Sequence, residues 1–241
     1  MRSLTGHVRA AIDKYNMIAP GDHIAVGISG GKDSMFLLHA LSELRRYHSA
    51  SFSLTGITID PGFSNQEADY SEIEKFCADR EIAYIIKRTS LAKVIFEDNK
   101  ESSPCSLCAR MRRGMLHNLC VENGFNKIAL GHHLDDAVQT FFMNLLYGGK
   151  IGCFSPVTYL SRKDLTMIRP LIFCEETQIR SSVARLKIPV VKSACPVDGI
   201  SARKDSADFI KTLEKDFPDI KSKIMGAMQR ADLDKWGLNL L

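Results

Sequence analysis

The chain has no apolar run long enough to span a membrane. Its first eighteen residues carry Arg2, Arg9, Asp13 and Lys14 around no apolar centre, so they do not read as a secretory signal. A cytoplasmic protein is expected. Internal repeats and low-complexity tracts are also missing, which argues against a solenoid or a disordered tether. The net charge is only +4 over 241 residues, so no strong basic field demands a nucleic-acid partner. The chain has seven cysteines, too few and too scattered in a cytoplasmic chain of this size to be a disulfide framework. A composition of 45% hydrophobic and 25% charged residues is that of a globular protein with one sizeable core.

Two familiar nucleotide loops are absent as well. No Gly is followed by four residues and then Gly-Lys-Ser/Thr, and no G-x-G-x-x-G follows a strand. What stands in their place is Ser29-Gly30-Gly31-Lys32-Asp33-Ser34, between the apolar run Ile24–Ile28 and the segment Met35–Leu41. That order predicts a strand, a glycine turn and a helix start. Helix starts present unpaired N–H groups and a positive dipole end, so they hold phosphates. The glycines let the backbone approach an anion. Lys32 adds a charge, Ser29 and Ser34 add hydroxyls, and Asp33 suits a metal ion on the phosphates. A capped core helix is the plainer reading, and six such residues in order at one junction make it the weaker one.

Strand and helix patterns alternate from His23 onward. Strands are expected at His23–Ile28, Leu54–Ile59, Ala83–Ile86, Lys127–Leu130 and Thr166–Ile168. Helices are expected at Met35–Leu44, from a cap at Asn65 to about Arg80, and at Cys108–Asn123, Asp135–Tyr147 and Glu176–Leu186. The fold class is therefore α/β, a doubly wound parallel sheet of about five strands with a helical C-terminal tail. One domain over 1–241 is expected: an N-terminal helical segment to about 22, a core over about 23–200 and a tail beyond. Ligands of such sheets bind beyond the carboxyl ends of the strands. The phosphate loop, Asp60 and Gly131 all fall at such ends, and should share one crevice.

A second cluster, Gly131-His132-His133-Leu134-Asp135-Asp136, follows the fourth strand. Adjacent carboxylates at a helix start can simply cap it. Facing a phosphate loop, the same residues suit a magnesium ion and a nucleotide. A third feature is Cys105-Ser106-Leu107-Cys108, with Cys195 far downstream. A single C-x-x-C fits half a zinc site, a redox pair or an iron–sulfur site. No second C-x-x-C completes a zinc set, though His117 or His132 could add a ligand. Basic residues gather at Arg110, Arg112 and Arg113, at Arg162 and Lys163, and at Arg203 and Lys204; most such groups are solvated faces. Cys77 and Cys120 read as buried small side chains, and Cys153 and Cys174 lie near no motif.

These residues carry a resemblance. Ser29–Ser34 resembles the pyrophosphate-binding loop of PP-loop ATPases, which split ATP to AMP and pyrophosphate. The stretch Pro104–Met115 resembles the tRNA 2-thiocytidine synthase (TtcA) family. So do Ile128–Asp136, Phe142 with Tyr147–Lys150, Ile168–Leu171, Cys195, Arg203 and Asp216–Pro218. At Lys192 that family often has a further cysteine. The resemblance implies ATP, Mg2+ and a [4Fe-4S] cluster on Cys105, Cys108 and Cys195. It implies catalytic roles for Lys32, Asp33, Asp136 and Arg112, and nucleotide binding by Ser29–Ser34, Asp60, Gly131, His132 and Asp135. Arg110, Arg113, Lys150 and Arg203 would meet phosphates of RNA or ATP. The implied partners are tRNA and a cysteine desulfurase or other sulfide source, with a homodimer open and no membrane. Alternatives are a PP-loop enzyme acting on another base or small molecule, a cluster-free persulfide route, and a non-catalytic nucleotide- or RNA-binding module.

Overall fold

The computed structural model describes residues 4–63, 68–95, 104–191, 195 and 202–237. The expected cap at Asn65, the departure at Lys192 and the side chain of Arg203 lie outside the described residues. Six strands form one sheet: β1 Asp22–Gly27, β2 Phe52–Asp60, β3 Ala83–Arg88, β4 Lys127–Ala129, β5 Val157–Leu160 and β6 Leu165–Ile168. Their order is β3-β2-β1-β4-β6-β5. Five of them run parallel, as the alternating pattern predicts. The sixth, β5, pairs antiparallel with β6 at the sheet edge. It was not expected, because Val157–Leu160 is short and only half-buried, so it has no clear alternation.

The helices are α1 Leu4–Lys14, α2 Lys32–Arg45, α3 Ser71–Ala78, α4 Leu91–Lys93, α5 Pro104–Glu122, α6 Leu134–Leu146, α7 Glu176–Leu186, α8 Ala202–Asp216 and α9 Ile220–Arg230. Central strands buried on both faces need apolar residues at every position. Ile24, Ala25 and Val26 of β1 are each 0% exposed. Alternate residues point to opposite layers. Ile24 and Val26 join the core under α1, α2, α3 and α7, while Ala25 joins Ile57, Ile59 and Ile128 under α5. Full burial of each large side chain contributes roughly 1.5–3 kcal/mol. A third, smaller cluster packs Leu134, Val138 and Phe142 of α6 against Ile210 of α8.

The chain winds outward from β1 through β2 to β3, then returns to add β4 on the other side. The reversal opens a crevice at the carboxyl ends of β1 and β4. The phosphate loop leaves β1 there, and the His-His-x-Asp-Asp cluster leaves β4 there. The tail closes on this body through Trp236, which is fully buried. Its indole donates to the Phe154 carbonyl at 2.7 Å, and its own carbonyl accepts from the Tyr15 hydroxyl at 3.0 Å.

Candidate active site

The loop after β1 is shaped by its own hydroxyls. Ser34 Oγ donates to the Gly31 carbonyl at 2.9 Å and accepts from the Ser29 amide at 3.2 Å. The Gly31 amide donates to Ser29 Oγ at 3.3 Å. Gly30 has φ +84°, a conformation that favours glycine. Its carbonyl accepts from the Val191 amide at 3.0 Å. That bond holds Val191 against the loop. Four residues reach at most about 14 Å, so Cys195 is kept at this end of the sheet.

Gly131 lies against the start of α2. A Cβ there would come within 3.1 Å of the Asp33 carbonyl carbon and the Ser34 amide nitrogen. A side chain here would crowd the backbone where the β4 loop packs on the phosphate loop, and that backbone would have to give by a few tenths of an ångström. The expected place of Gly131 at the crevice is where the structure puts it.

Behind Gly131, the side chain of His133 gathers three carboxylates. Its Nε2 lies 3.8 Å from Asp33 Oδ1 and 3.4 Å from Asp136 Oδ2, and its Nδ1 lies 3.6 Å from Asp135 Oδ2. The His133 side chain caps α6 by accepting from the Asp136 amide, while the Asp136 carboxylate accepts from the His133 amide at 3.0 Å. Sequence reading gave the nucleotide role to His132. His133 is the histidine that joins the two acidic clusters, and its signal was the three-residue spacing to Asp136 typical of a reciprocal cap. His132 lines the crevice and lies 5.3 Å from the Phe154 ring.

Asp33 suits a magnesium ion. Its Oδ2 pairs with Lys32 Nζ at 3.0 Å, while its Oδ1 is buried with no hydrogen-bond partner. A buried carboxylate oxygen without a donor is strongly disfavoured unless a cation serves it. Asp135 differs. Its Oδ1 pairs with Lys221 Nζ at 2.8 Å and its Oδ2 accepts from the Glu176 amide at 2.7 Å. Both oxygens are engaged in tying α6 to α7 and α9. Asp60 is also engaged: it accepts from the Gly62 amide at 3.0 Å and pairs with Arg88 at 3.3 Å. It braces the turn after β2 at the carboxyl end of that strand.

Glu176 was not anticipated. It opens α7, and its Oε1 meets Lys32 Nζ at 3.0 Å and Arg180 at 2.8 Å. Burial alone would raise its pKa. The bonds from Lys32 and Arg180 outweigh that and hold it down at about 2. Lys32 is correspondingly raised: burial opposes its charge, and Asp33 and Glu176 overcome that. No local motif marks Glu176, because its partner lies 144 residues away in sequence.

A crevice of about 230 Å³ opens beside this cluster. Gly27, Ile28, Ile57, Ile59 and Leu130 form its floor, Ser29 and His132 lie at its rim, and Ala109, Arg112, Arg113 and Leu116 of α5 cover it. The lining is mostly apolar with a few charged groups, as ligand clefts are. Cys108 lies one turn before Arg112 on the same helix face. Burial, the largest influence, raises the Cys108 pKa; Arg112 draws it down, while Cys195 and Cys105 push it up. Cys108 therefore lies within electrostatic reach of both Cys105 and Cys195. Cys105 is exposed, Cys108 buried and Cys195 intermediate.

Among the described residues, no three Cys, His, Asp or Glu side chains are gathered tightly enough for a single metal ion. Zinc holds thiolates at about 2.3 Å and in structural sites takes four ligands. His117 cannot complete such a set, since it stands nine residues beyond Cys108, about 14 Å along the helix axis. Three thiols suit a four-iron cluster with one iron left open. The remaining cysteines differ sharply. Burial pushes Cys77 up to about 11, and Cys120, Cys153 and Cys174 up to about 12.

Of the residues expected to meet phosphates, Arg113 covers the crevice and Arg110 is exposed on the same helix. Lys150 follows the far end of α6, where the chain turns back and its amide donates to the Asn144 carbonyl at 3.0 Å. Lys163 joins α5 by donating to Asn118 at 2.9 Å. The second basic cluster thus extends the first. Arg169, buried on β6's end, donates to the Ser155 carbonyl and to Thr158 Oγ1, and its guanidinium lies 4.9 Å from the Phe154 ring. Burial lowers its pKa to about 10.

Residues 4–195 match the family model described as the PP-loop domain. The tRNA-cytidine(32) 2-sulfurtransferase of Syntrophotalea carbinolica is 36% identical over 231 residues, covering 95% of this chain and 87% of the relative. The protein of the same name from Geobacter metallireducens is 36% identical over 230 residues, covering 94% and 89%. Among solved structures, the U34-tRNA thiolase NcsA from Methanococcus maripaludis, described with its [4Fe-4S] cluster, superposes with a TM-score of 0.74. It shares 24% identity and covers 93% of this chain and 78% of its own, a likeness of fold. On these matches the chain belongs to the PP-loop domain family and, within it, to the family of the tRNA-cytidine 2-sulfurtransferases.

Proposed function

We propose that the protein thiolates a tRNA cytidine at C2, using ATP to activate the oxygen that is replaced. The observation that carries this reading is Cys108: it stands one helical turn before Arg112, which covers the crevice that Ser29 borders, and it lies within electrostatic reach of Cys105 and Cys195. A PP-loop alone fits any adenylating enzyme, and these thiols select sulfur as the entering atom.

The phosphates of ATP lie on the amides and hydroxyls of Ser29–Ser34, and the adenine fits the apolar floor between β1, β2 and β4. A magnesium ion would be held by Asp33 and Asp136 and would offset phosphate charge. The cytidine C2 oxygen attacks the α-phosphorus, and the bond to pyrophosphate breaks. Lys32 and the loop amides stabilise the charge that develops on the leaving group. His133 fixes Asp33 and Asp136 relative to each other. Sulfur at the sulfide level then attacks C2, and the C2–O bond breaks as AMP leaves with the oxygen. No electrons change hands. A [4Fe-4S] cluster on Cys105, Cys108 and Cys195 would supply an iron able to carry that sulfur. Arg112 faces the adenylate and steadies its phosphate.

A base must leave its stack to reach such a crevice, which favours a single-stranded loop nucleotide. Arg110, Arg113 and Lys163 line the approach and suit the phosphodiester backbone. A cysteine desulfurase or another sulfide source would feed the site. The test is mass spectrometry of tRNA nucleosides from cells with and without the gene. The expected result is loss of 2-thiocytidine; an unchanged level would contradict the reading.

A further inference from the structure

The ammonium of Lys32 is not free to receive phosphate. It is held between Asp33 Oδ2 and Glu176 Oε1, each at 3.0 Å. Asp33 is its chain neighbour. Glu176 comes from a different element, and its position is fixed from several sides. Its amide donates to Asp135, whose other oxygen is paired with Lys221 of α9, and Lys221 also meets Glu214 of α8 at 2.7 Å. Its carboxylate is shared with Arg180 at 2.8 Å. A carboxylate so braced cannot swing away when an anion arrives.

We propose that Glu176 is a positioning residue that acts as a resident counter-anion for Lys32. It holds the ammonium in place beside the phosphate loop, and it competes with polyphosphate for that charge. As phosphate enters, Lys32 turns to it, and Arg180 remains to balance Glu176. When pyrophosphate has formed, Glu176 takes Lys32 back and speeds product exit. The inference rests on the reading of Ser29–Ser34 as a pyrophosphate loop. The shared chemistry is competition between two anions for one lysine, so the geometry gives it a sign: removing the Glu176 charge should tighten polyphosphate binding.

The test uses the full chain, magnesium pyrophosphate as probe, and calorimetric titration of three variants. Glu176→Gln should bind pyrophosphate about three- to fivefold more tightly than wild type, the scale of a part-exposed ion pair. Its KM for ATP should fall without a rise in kcat. Glu175→Gln removes the same charge one residue away, off Lys32, and should leave affinity unchanged. Arg180→Ala leaves Glu176 with Lys32 alone and should weaken pyrophosphate binding by about twofold; Arg180 is 68% exposed, so this variant keeps the fold. Equal or weaker pyrophosphate binding by Glu176→Gln would overturn the proposal, as would equal tightening by Glu175→Gln. A wild-type protein that binds no pyrophosphate would instead overturn the loop reading itself.

Discussion

The seven cysteines divide into two groups that share a side chain and little else. Cys77, Cys120, Cys153 and Cys174 lie within the packed layers, and burial is the largest influence raising the pKa of each. Burial, the largest influence, raises Cys108 too; Arg112 draws it down, and Cys195 and Cys105 push it up. What separates the groups is therefore place, not ionisation: the first fills the packed layers, whereas Cys108 stands one helical turn from the Arg112 that covers the crevice, with Cys105 and Cys195 within its electrostatic reach. Spacing alone separated Cys105 and Cys108, three residues apart on one helix turn. Cys195 joins them because Val191 is bonded to Gly30, a contact that no local pattern encodes.

The largest expected effect tests the second group. Replacing Cys108 with Ser should lower 2-thiocytidine formation by at least about a hundredfold, while tRNA-dependent pyrophosphate release stays within a few fold. Product analysis beside a pyrophosphate assay checks it. Asp33→Ala should reverse the pattern's first half, lowering pyrophosphate release itself by about a hundredfold. Thiolation that survived this change would detach the phosphate loop from the sulfur site.

Next in size is the first group's role in stability. Cys174→Ser places a hydroxyl where the side chain is fully buried, and should destabilise the fold by about 1–3 kcal/mol in denaturant unfolding. Cys105→Ser, on an exposed residue, should change stability little. A smaller effect concerns pH. Cys120, Cys153 and Cys174 have folded pKa values raised to about 12 from an ordinary 9.0. Their contribution is fully present below pH 9, and is lost as pH rises from 9 toward 12, because the unfolded thiols ionise first. Thermal melts across that range should show a falling Tm that flattens in a Cys120→Ala, Cys174→Ala double variant.

Much of the fold was legible because its signals are local. The buried runs of β1 and β2, the glycine turn and the apolar periodicity of α6 each announce an element. Five parallel strands followed from their alternation with helices. The edge strand β5 did not, since a half-buried four-residue strand has no pattern of its own. In the site, the glycine turn of Ser29–Ser34 was readable as a backbone requirement, whereas the close packing of Gly131 on Asp33 and Ser34 was not. Nor was the division of labour among the charged residues. Asp135 and Asp136 are adjacent in sequence, yet one braces α7 and α9 while the other faces His133 and Asp33. Which does which depends on Lys221 and Glu176, brought in by helices that pack long after both motifs are written.

The most direct test of the account is nucleoside analysis of tRNA from a deletion strain carrying single cysteine variants. Cys105→Ser, Cys108→Ser and Cys195→Ser should each fail to restore 2-thiocytidine, whereas Cys120→Ala and Cys174→Ala should restore it. Restoration by Cys108→Ser, or failure by a stably folded Cys120→Ala, would contradict the division of the cysteines on which the account stands.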